Sequence, residues 1–119
     1  MIGAVAGSLL TAGFIAGRQD RSWLDLDGRD WGTMDAPQRV AWTQGFLAGR
    51  ALGQLPDSIA RDTILSANAL MGLKREGALV FRYAPPLYVS RMGDYYHWDN
   101  HVTHPLWRGM LDVNEELKR

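Results

Sequence analysis

The chain lacks cysteine and lacks a surplus of charge of either sign. Among its 119 residues there is no cysteine, which excludes disulfides, a thiolate nucleophile and cysteine-based zinc sites. Thirteen basic residues balance thirteen acidic ones, so the formal net charge is zero. Nucleic-acid binding relies on a basic surplus that neutralises phosphates, and no nucleic-acid partner is therefore expected.

Sequence motifs of common enzymes are missing as well. No nucleophile elbow, phosphate-binding loop or dinucleotide fingerprint occurs, and the early glycines follow no predicted strand. The carboxylates Glu115 and Glu116 fall in a charged tail, without a second acidic pair at a useful spacing. The sequence therefore predicts a protein that is not an enzyme and that needs no cofactor.

Glycine and tryptophan are plentiful, and the glycines belong to a repeat. The chain has 13 glycines and five tryptophans. The octapeptide Thr11–Arg18 returns 32 residues later as Thr43–Arg50, with six of eight positions identical and Ile replaced by Leu at a seventh. A repeat of this kind indicates two helices of similar shape.

Within each copy the two glycines are four residues apart and share one face of a helix. Such a face lets a second backbone approach closely, and this contact compensates for the roughly 1 kcal/mol that each glycine costs a helix. We expect Gly45 and Gly49 to face the first helix. The predicted helix-packing residues are Gly13, Gly17, Gly45, Phe46 and Gly49. Thr43 and Arg50 are predicted to lie on a solvated stripe opposite the packed face.

The first 17 residues carry no charge and have three interpretations. As a membrane span they would reach only ~25 Å, short of the ~30 Å hydrocarbon core. As a signal peptide they lack a basic start. As a core helix they have a twin in residues 37–50, which carry Gln38, Arg39 and Gln44. The twin favours the core helix, and deletion of residues 1–17 is then expected to unfold the domain. Cytoplasmic localisation is favoured slightly, while export or membrane association stays open.

The rest of the chain reads as helices joined by short connectors. Residues 18–33 are rich in Asp, Arg and Gly and predict a polar connector. A helix should follow, with Asp35 and Gln38 as its capping box and Gly53 and Pro56 at its end. Further helices are predicted from residue 57 to Gly77, from 85 to about 98 and from 105 to 118, with an extended connector near 78–86. The last helix is predicted to have Leu106, Met110, Val113 and Leu117 on its inner face. The expected fold is a single all-α domain over residues 1–119, a bundle of about five helices with the two Gly-Phe helices at its centre.

Part of the chain resembles a group of small bacterial helical proteins. The resemblance rests on Trp31, on Arg39, on the run Trp42-Thr43-Gln44-Gly45-Phe46-Leu47-Ala48-Gly49, and on Tyr95-Tyr96 with Asn100. These residues are similar to a Trp followed by an aromatic-Val-x-Gly-Phe-x-x-Gly helix, although Ala41-Trp42-Thr43 stands where that family has Tyr-Val. The match covers about half the chain. It implies a helical fold and a bacterial or phage source, and no activity.

All three histidines fall within eight residues. His97 and His101 are four apart and His104 follows, with Asp94 just before them. On a continuous helix this spacing would suit zinc, nickel or copper. Asn100 and Pro105, however, predict a helix break inside the run, and histidines also suit a helix end without a metal. A divalent metal bound by these residues is therefore an alternative to the main hypothesis.

The favoured hypothesis is a non-catalytic structural or protein-binding component, either a homo-oligomer or a subunit of a larger assembly. Exposed tyrosine and tryptophan dominate binding hot spots. The candidate anchors are Tyr95, Tyr96, Trp98 and Trp107. A metal-binding protein that uses the histidines is the second hypothesis, and a membrane-associated subunit anchored by residues 1–17 is the third.

Overall fold

The computed structural model describes residues 22–119, and this part of the chain is helical. Its six helices are α1 (Gly28–Thr33), α2 (Ala36–Leu52), α3 (Asp57–Ala60), α4 (Thr63–Arg75), α5 (Pro85–Tyr96) and α6 (Leu106–Leu117). Single 3-10 turns lie at Trp23–Asp25 and Asp99–His101. No strand occurs among the described residues, where the only β-pairing is an isolated bridge between Asp27 and Pro105. The predicted all-α fold class is confirmed.

The helix α1 corrects the expected polar connector. Asp27 accepts a hydrogen bond from the backbone of Arg29, and the Asp30 side chain accepts one from the backbone of Asp27 at 2.8 Å. This reciprocal capping begins a helix where the composition alone indicated a loop. The start of α1 is held against the loop between α5 and α6, because Gly28 donates to the carbonyl of Val102 at 2.9 Å.

The ends of α2 are as predicted. Asp35 accepts a hydrogen bond from the backbone of Gln38, whose side chain in turn accepts one from the backbone of Asp35, both at 2.8 Å. The helix ends at Leu52 with Gly53 as its cap. The sequence analysis placed this helix at the centre of the bundle, but among its residues only Thr43 is fully buried.

The helix predicted from residue 57 to Gly77 is in fact two helices. The helix α3 ends at Ala60, and the Asp62 side chain accepts hydrogen bonds from the backbones of Ile64 and Leu65 and so begins α4. The break turns Ile64 and Met71 outward, with 72% and 64% of their surfaces exposed. The end of α4 is as predicted, because Gly77 adopts a positive φ of 68° there.

The core is built mainly by α5 and α6. Tyr88 and Met92 of α5 are fully buried, as are Leu106 and Met110 of α6. A line of touching aromatic rings connects α5 to the earlier helices, with centroid distances of 5.3–6.4 Å. It runs through Trp31, Trp42, Phe46, Phe81 and Tyr88. The predicted inner face of the last helix is confirmed at Leu106, Met110 and Val113, and Leu117 is partly buried.

The connector between α4 and α5, predicted to be extended, forms no strand and bends at Val80, Phe81 and Tyr83. Side chains rather than a neighbouring strand satisfy its backbone. Gln54 donates to the carbonyl of Ala78 and accepts from the backbone of Val80, both at 3.0 Å. Asn114 donates to the carbonyl of Val80 at 2.9 Å. Across residues 22–119, none of the helices is long and apolar enough to cross a membrane.

Candidate interaction surface

The sequence placed Thr43 and Arg50 of α2 on a solvated stripe; Arg50 is exposed, as predicted, whereas Thr43 faces the interior. Thr43 is completely buried. Arg39 donates from Nε to the carbonyl of Trp31 at 3.1 Å and places its guanidinium 5.4 Å from the centroid of that ring. Arg50 lies at the same distance over Phe81. Arginine stems cover aromatic surface well, so these residues line the contact between α2 and the aromatic core.

The opposite side of α2 carries small and apolar residues and is exposed. The exposed residues that share this face are Ala41, Gly45, Ala48, Gly49 and Leu52. We call this set the outward face of α2. Among residues 22–119, nothing would lie within 4 Å of a Cβ atom added at Gly45 or Gly49. The predicted partners Gly13 and Gly17 lie outside the described residues, so the predicted glycine contact stays a prediction.

An apolar groove adjoins the outward face. It has a volume of about 430 Å³. Its lining residues are Trp23, Leu24, Ala41, Trp42, Gly45, Phe46 and Trp107. None of them carries a charge, and Gly45 belongs to both the groove and the outward face of α2. An uncharged concave surface of this size on a small domain is typical of a binding site.

Hydrogen bonds fix the far wall of the groove. Ser22 accepts a bond from the backbone of Leu24 and so begins the first 3-10 turn. The indole of Trp107 donates to the carbonyl of Leu24 at 3.1 Å and ties this turn to α6. Trp23 and Leu24 are left 77% and 50% exposed. Trp107 was among the predicted anchors. Trp23 and Leu24 were not, although two large apolar residues inside a polar stretch were a usable signal.

Tyr95 and Tyr96 are held inside the protein and do not serve as exposed anchors. Only 9% of Tyr95 is exposed, and its hydroxyl donates to Asp112 at 2.7 Å. The Tyr96 hydroxyl lies 2.8 Å from the carbonyl of His104 and 3.0 Å from that of Pro105. Burial raises the pKa of both tyrosines, and the neighbouring Asp112 raises that of Tyr95 further. Both therefore stay protonated, as neutral hydrogen-bond donors and weak acids.

Trp98 is exposed, as an anchor candidate should be, but it does not line the apolar groove. It is 62% exposed and contacts the His97 ring edge-on, with centroids 5.2 Å apart. It lines a separate small cavity of about 180 Å³, together with the predicted ligand Asp94 and with His101. This cavity mixes acidic and basic side chains, including Arg91 and Glu116. It lacks the uniform apolar lining of the groove.

Two of the three histidines meet around Tyr95, while His97 pairs with Trp98. The His101 ring stacks on Tyr95 at 4.3 Å and its Nδ1 donates to the Tyr95 carbonyl at 2.8 Å. Nδ1 of His104 lies 2.6 Å from the Tyr95 hydroxyl. Since that hydroxyl gives its proton to Asp112, His104 is the donor in this bond. In residues 22–119 no three His, Asp or Glu side chains are placed to hold a metal, so the predicted ligands His97, His101, His104 and Asp94 do not assemble.

Comparison with protein-family models, with curated proteins and with solved structures finds no match to this chain. The functional argument therefore depends on the geometry of the groove and of the outward face of α2.

Proposed function

We propose that this protein is a non-catalytic component that binds another protein segment, an apolar helix, along the outward face of α2 and the adjoining groove. The orientation of α2 carries the proposal. Thr43 is buried, the half-buried Arg39 lies over Trp31 and the exposed Arg50 lies over Phe81, while Ala41, Gly45, Ala48, Gly49 and Leu52 are exposed on the other side. A surface helix of a free-standing domain has the reverse arrangement.

The shape of the surface supports a helical partner. The absence of side chains at Gly45 and Gly49 lets a backbone come close, and the small neighbours Ala41 and Ala48 extend the same strip. The groove beside Gly45 can accept one large apolar side chain of the partner. Binding of this kind places an amphipathic helix in a hydrophobic groove, with anchors about one turn apart.

The rim of the groove supplies anchors of the residue type that dominates binding energies. Trp107 is 43% exposed and its indole nitrogen is already bonded to Leu24, so the ring is held in place. A pre-ordered tryptophan loses little entropy on binding. Trp23 also lines this groove. The uncharged lining indicates an apolar partner surface.

Gly45→Arg tests the proposal against the matched control Gly93→Arg. Both glycines are exposed helical positions, and no neighbour in the described part of the chain lies within 4 Å of an added Cβ at either, so both should tolerate arginine in an uncovered domain. Only Gly45 lies on the proposed contact. We expect Gly45→Arg to lower the melting temperature or the mass measured by size-exclusion chromatography with light scattering, and Gly93→Arg to change neither. Equal behaviour of the two variants would contradict the proposal.

A further inference from the structure

We infer that a cavity between α2, the connector after α4 and the start of α5 binds a small amphipathic anion, an aliphatic carboxylate. The cavity has a volume of about 420 Å³, within the range of roughly 300–1,000 Å³ that small-ligand sites occupy. Among the described residues it shares no lining residue with the apolar groove, although it adjoins the outward face of α2 at Ala48. The inference therefore does not depend on the proposed function.

Most of the cavity lining is apolar. Leu47 and Ala51 contribute from α2, and the buried ring of Phe81 contributes from the connector. Tyr83 is half-buried, and its hydroxyl already donates to the carbonyl of Leu117 at 2.9 Å, so its ring is the part left to a ligand. An aliphatic chain placed here would be removed from water against apolar side chains.

The charged side chains of the lining are all positive. Among the described residues they are Lys74 and Arg82, both exposed, and within residues 22–119 neither forms an ion pair. The Arg82 guanidinium lies 5.6 Å from the centroid of the Tyr83 ring, which keeps its charge beside the apolar lining. Two uncompensated cations next to apolar surface complement a ligand that joins an anionic group to an apolar chain.

The position of Arg82 distinguishes it from an ordinary surface cation. Lys74 lies in the last turn of α4, where the helix dipole favours positive charge. Arg82, in contrast, lies just before α5, whose N-cap Ala84 makes no side-chain capping bond and whose first turn has no acidic residue. A cation beside the positive end of a helix is unfavourable, and a bound anion would offset both charges. Pro85 and Pro86 supply no backbone N–H, so the side chains must hold the anion.

The connector wall of the cavity is fixed before any ligand binds. Leu79 lines the cavity between two residues whose backbones are bonded to the side chain of Gln54. These bonds, to the carbonyl of Ala78 and from the N–H of Val80, are both 3.0 Å long. A site that is ordered in advance loses less conformational entropy on binding.

Sodium octanoate, added to the full-length protein, is the probe. Isothermal titration calorimetry measures affinity, and chemical shifts of ¹⁵N-labelled protein locate the site. We expect a dissociation constant on the order of a millimolar or below, with shifts at the amides of Leu79 and Arg82. Acetate carries the head group without the chain, and octylammonium carries the chain with the opposite charge. Both should bind about ten-fold more weakly or less.

Lys74→Met and Arg82→Met test the two cations, because methionine keeps an unbranched apolar stem and removes the charge. Each should weaken octanoate binding about ten-fold, while Arg82→Lys should retain most of the affinity. Arg75→Met is the matched control, since Arg75 is exposed in the same turn of α4 but does not line the cavity. It should leave the affinity unchanged. The melting temperature of each variant shows that the exposed substitutions leave the fold intact.

Unchanged affinity in either Lys74→Met or Arg82→Met would overturn the inference, as would equal binding of octanoate and octylammonium. Shifts confined to the indoles of Trp23 and Trp107 would place octanoate in the apolar groove and would also overturn it. So would the absence of binding at millimolar octanoate.

Discussion

The hydroxyl of Tyr95 joins three parts of the chain. It donates to Asp112 of α6 and accepts from His104 of the loop before α6, while the ring of Tyr95 stacks on His101. The Arg108 guanidinium lies 3.6 Å from the same Asp112 carboxylate and helps to balance its charge. This set holds the loop of residues 97–105 against α5 and α6 through hydrogen bonds and ring stacking.

Tyr95→Phe should destabilise the protein by about 1–2 kcal/mol, because the ring is kept while Asp112 and His104 each lose a partner in a half-buried site. Urea unfolding followed by circular dichroism measures the change. Tyr83→Phe is a matched control, since it removes a single hydrogen bond to the carbonyl of Leu117. A cost for Tyr95→Phe no larger than that of the control would contradict the role assigned to the Tyr95 hydroxyl.

The roles of single aromatic and histidine residues were the least predictable from sequence. Tyr95 and Tyr96 are internal donors rather than exposed anchors because their acceptors come from residues 104, 105 and 112. These contacts depend on how the chain folds back after α5, which local sequence does not encode. The four-residue spacing of His97 and His101 had no structural meaning, since α5 ends before both.

Capping residues determine where the helices begin, and only some of these residues were recognised from the sequence. Asp35 and Gln38 were recognised, whereas the equivalent pair Asp27 and Asp30 was not, because its helix is only six residues long. Asp62 was missed for another reason. The apolar pattern runs without interruption through residues 59–73, and the break between α3 and α4 is visible only as the aspartate that caps the second helix.

The side of α2 that faces the interior could not be predicted from the periodicity of its residues. Both sides contain apolar groups, and burial of Thr43 depends on the close approach of α5, which comes 40 residues later in the chain. Cation–π contacts of Arg39 with Trp31 and of Arg50 with Phe81 also help to orient this side of α2 toward the aromatic core. The predicted contact between the glycine face and the first helix involves residues outside the described part of the chain and stays a prediction.

Asp35→Ala should destabilise the protein by about 1 kcal/mol, because it removes the side-chain cap of α2 and the partner of Gln38. Thermal unfolding monitored at 222 nm, a wavelength that reports helix content, gives the change. Asp57→Ala is the control, since α3 has no side-chain cap and Asp57 caps nothing. Its effect should stay within about 0.5 kcal/mol. An equal cost for the two variants would show that capping is not the cause.

The architecture of the whole molecule followed from sequence more reliably than its surface did. Helix class, the ends of α2 and the buried side of α6 were predicted because each depends on residues close in the chain. The groove combines the turn at Trp23–Asp25 with α2 and α6, and such a long-range combination leaves no local pattern. The apolar groove is therefore visible only at the scale of the folded domain.

Alkaline pH should destabilise the whole domain, because burial raises the pKa of Tyr88, Tyr95 and Tyr96 and all three lie on α5, the helix at the centre of the core. In the unfolded chain these tyrosines ionise near pH 10. Their native pKa values are higher, so below pH 10 both states are protonated and the contribution to stability is fully present. Above pH 10 the unfolded state loses protons first, and stability falls as the pH rises toward the native pKa values.

Melting temperatures measured between pH 8 and pH 11.5 should therefore be level at first and then decrease, together with a rise in tyrosinate absorbance at 295 nm on unfolding. Tyr95→Phe should make the decrease shallower, and a melting temperature that stays constant to pH 11.5 would show that these hydroxyls are open to solvent.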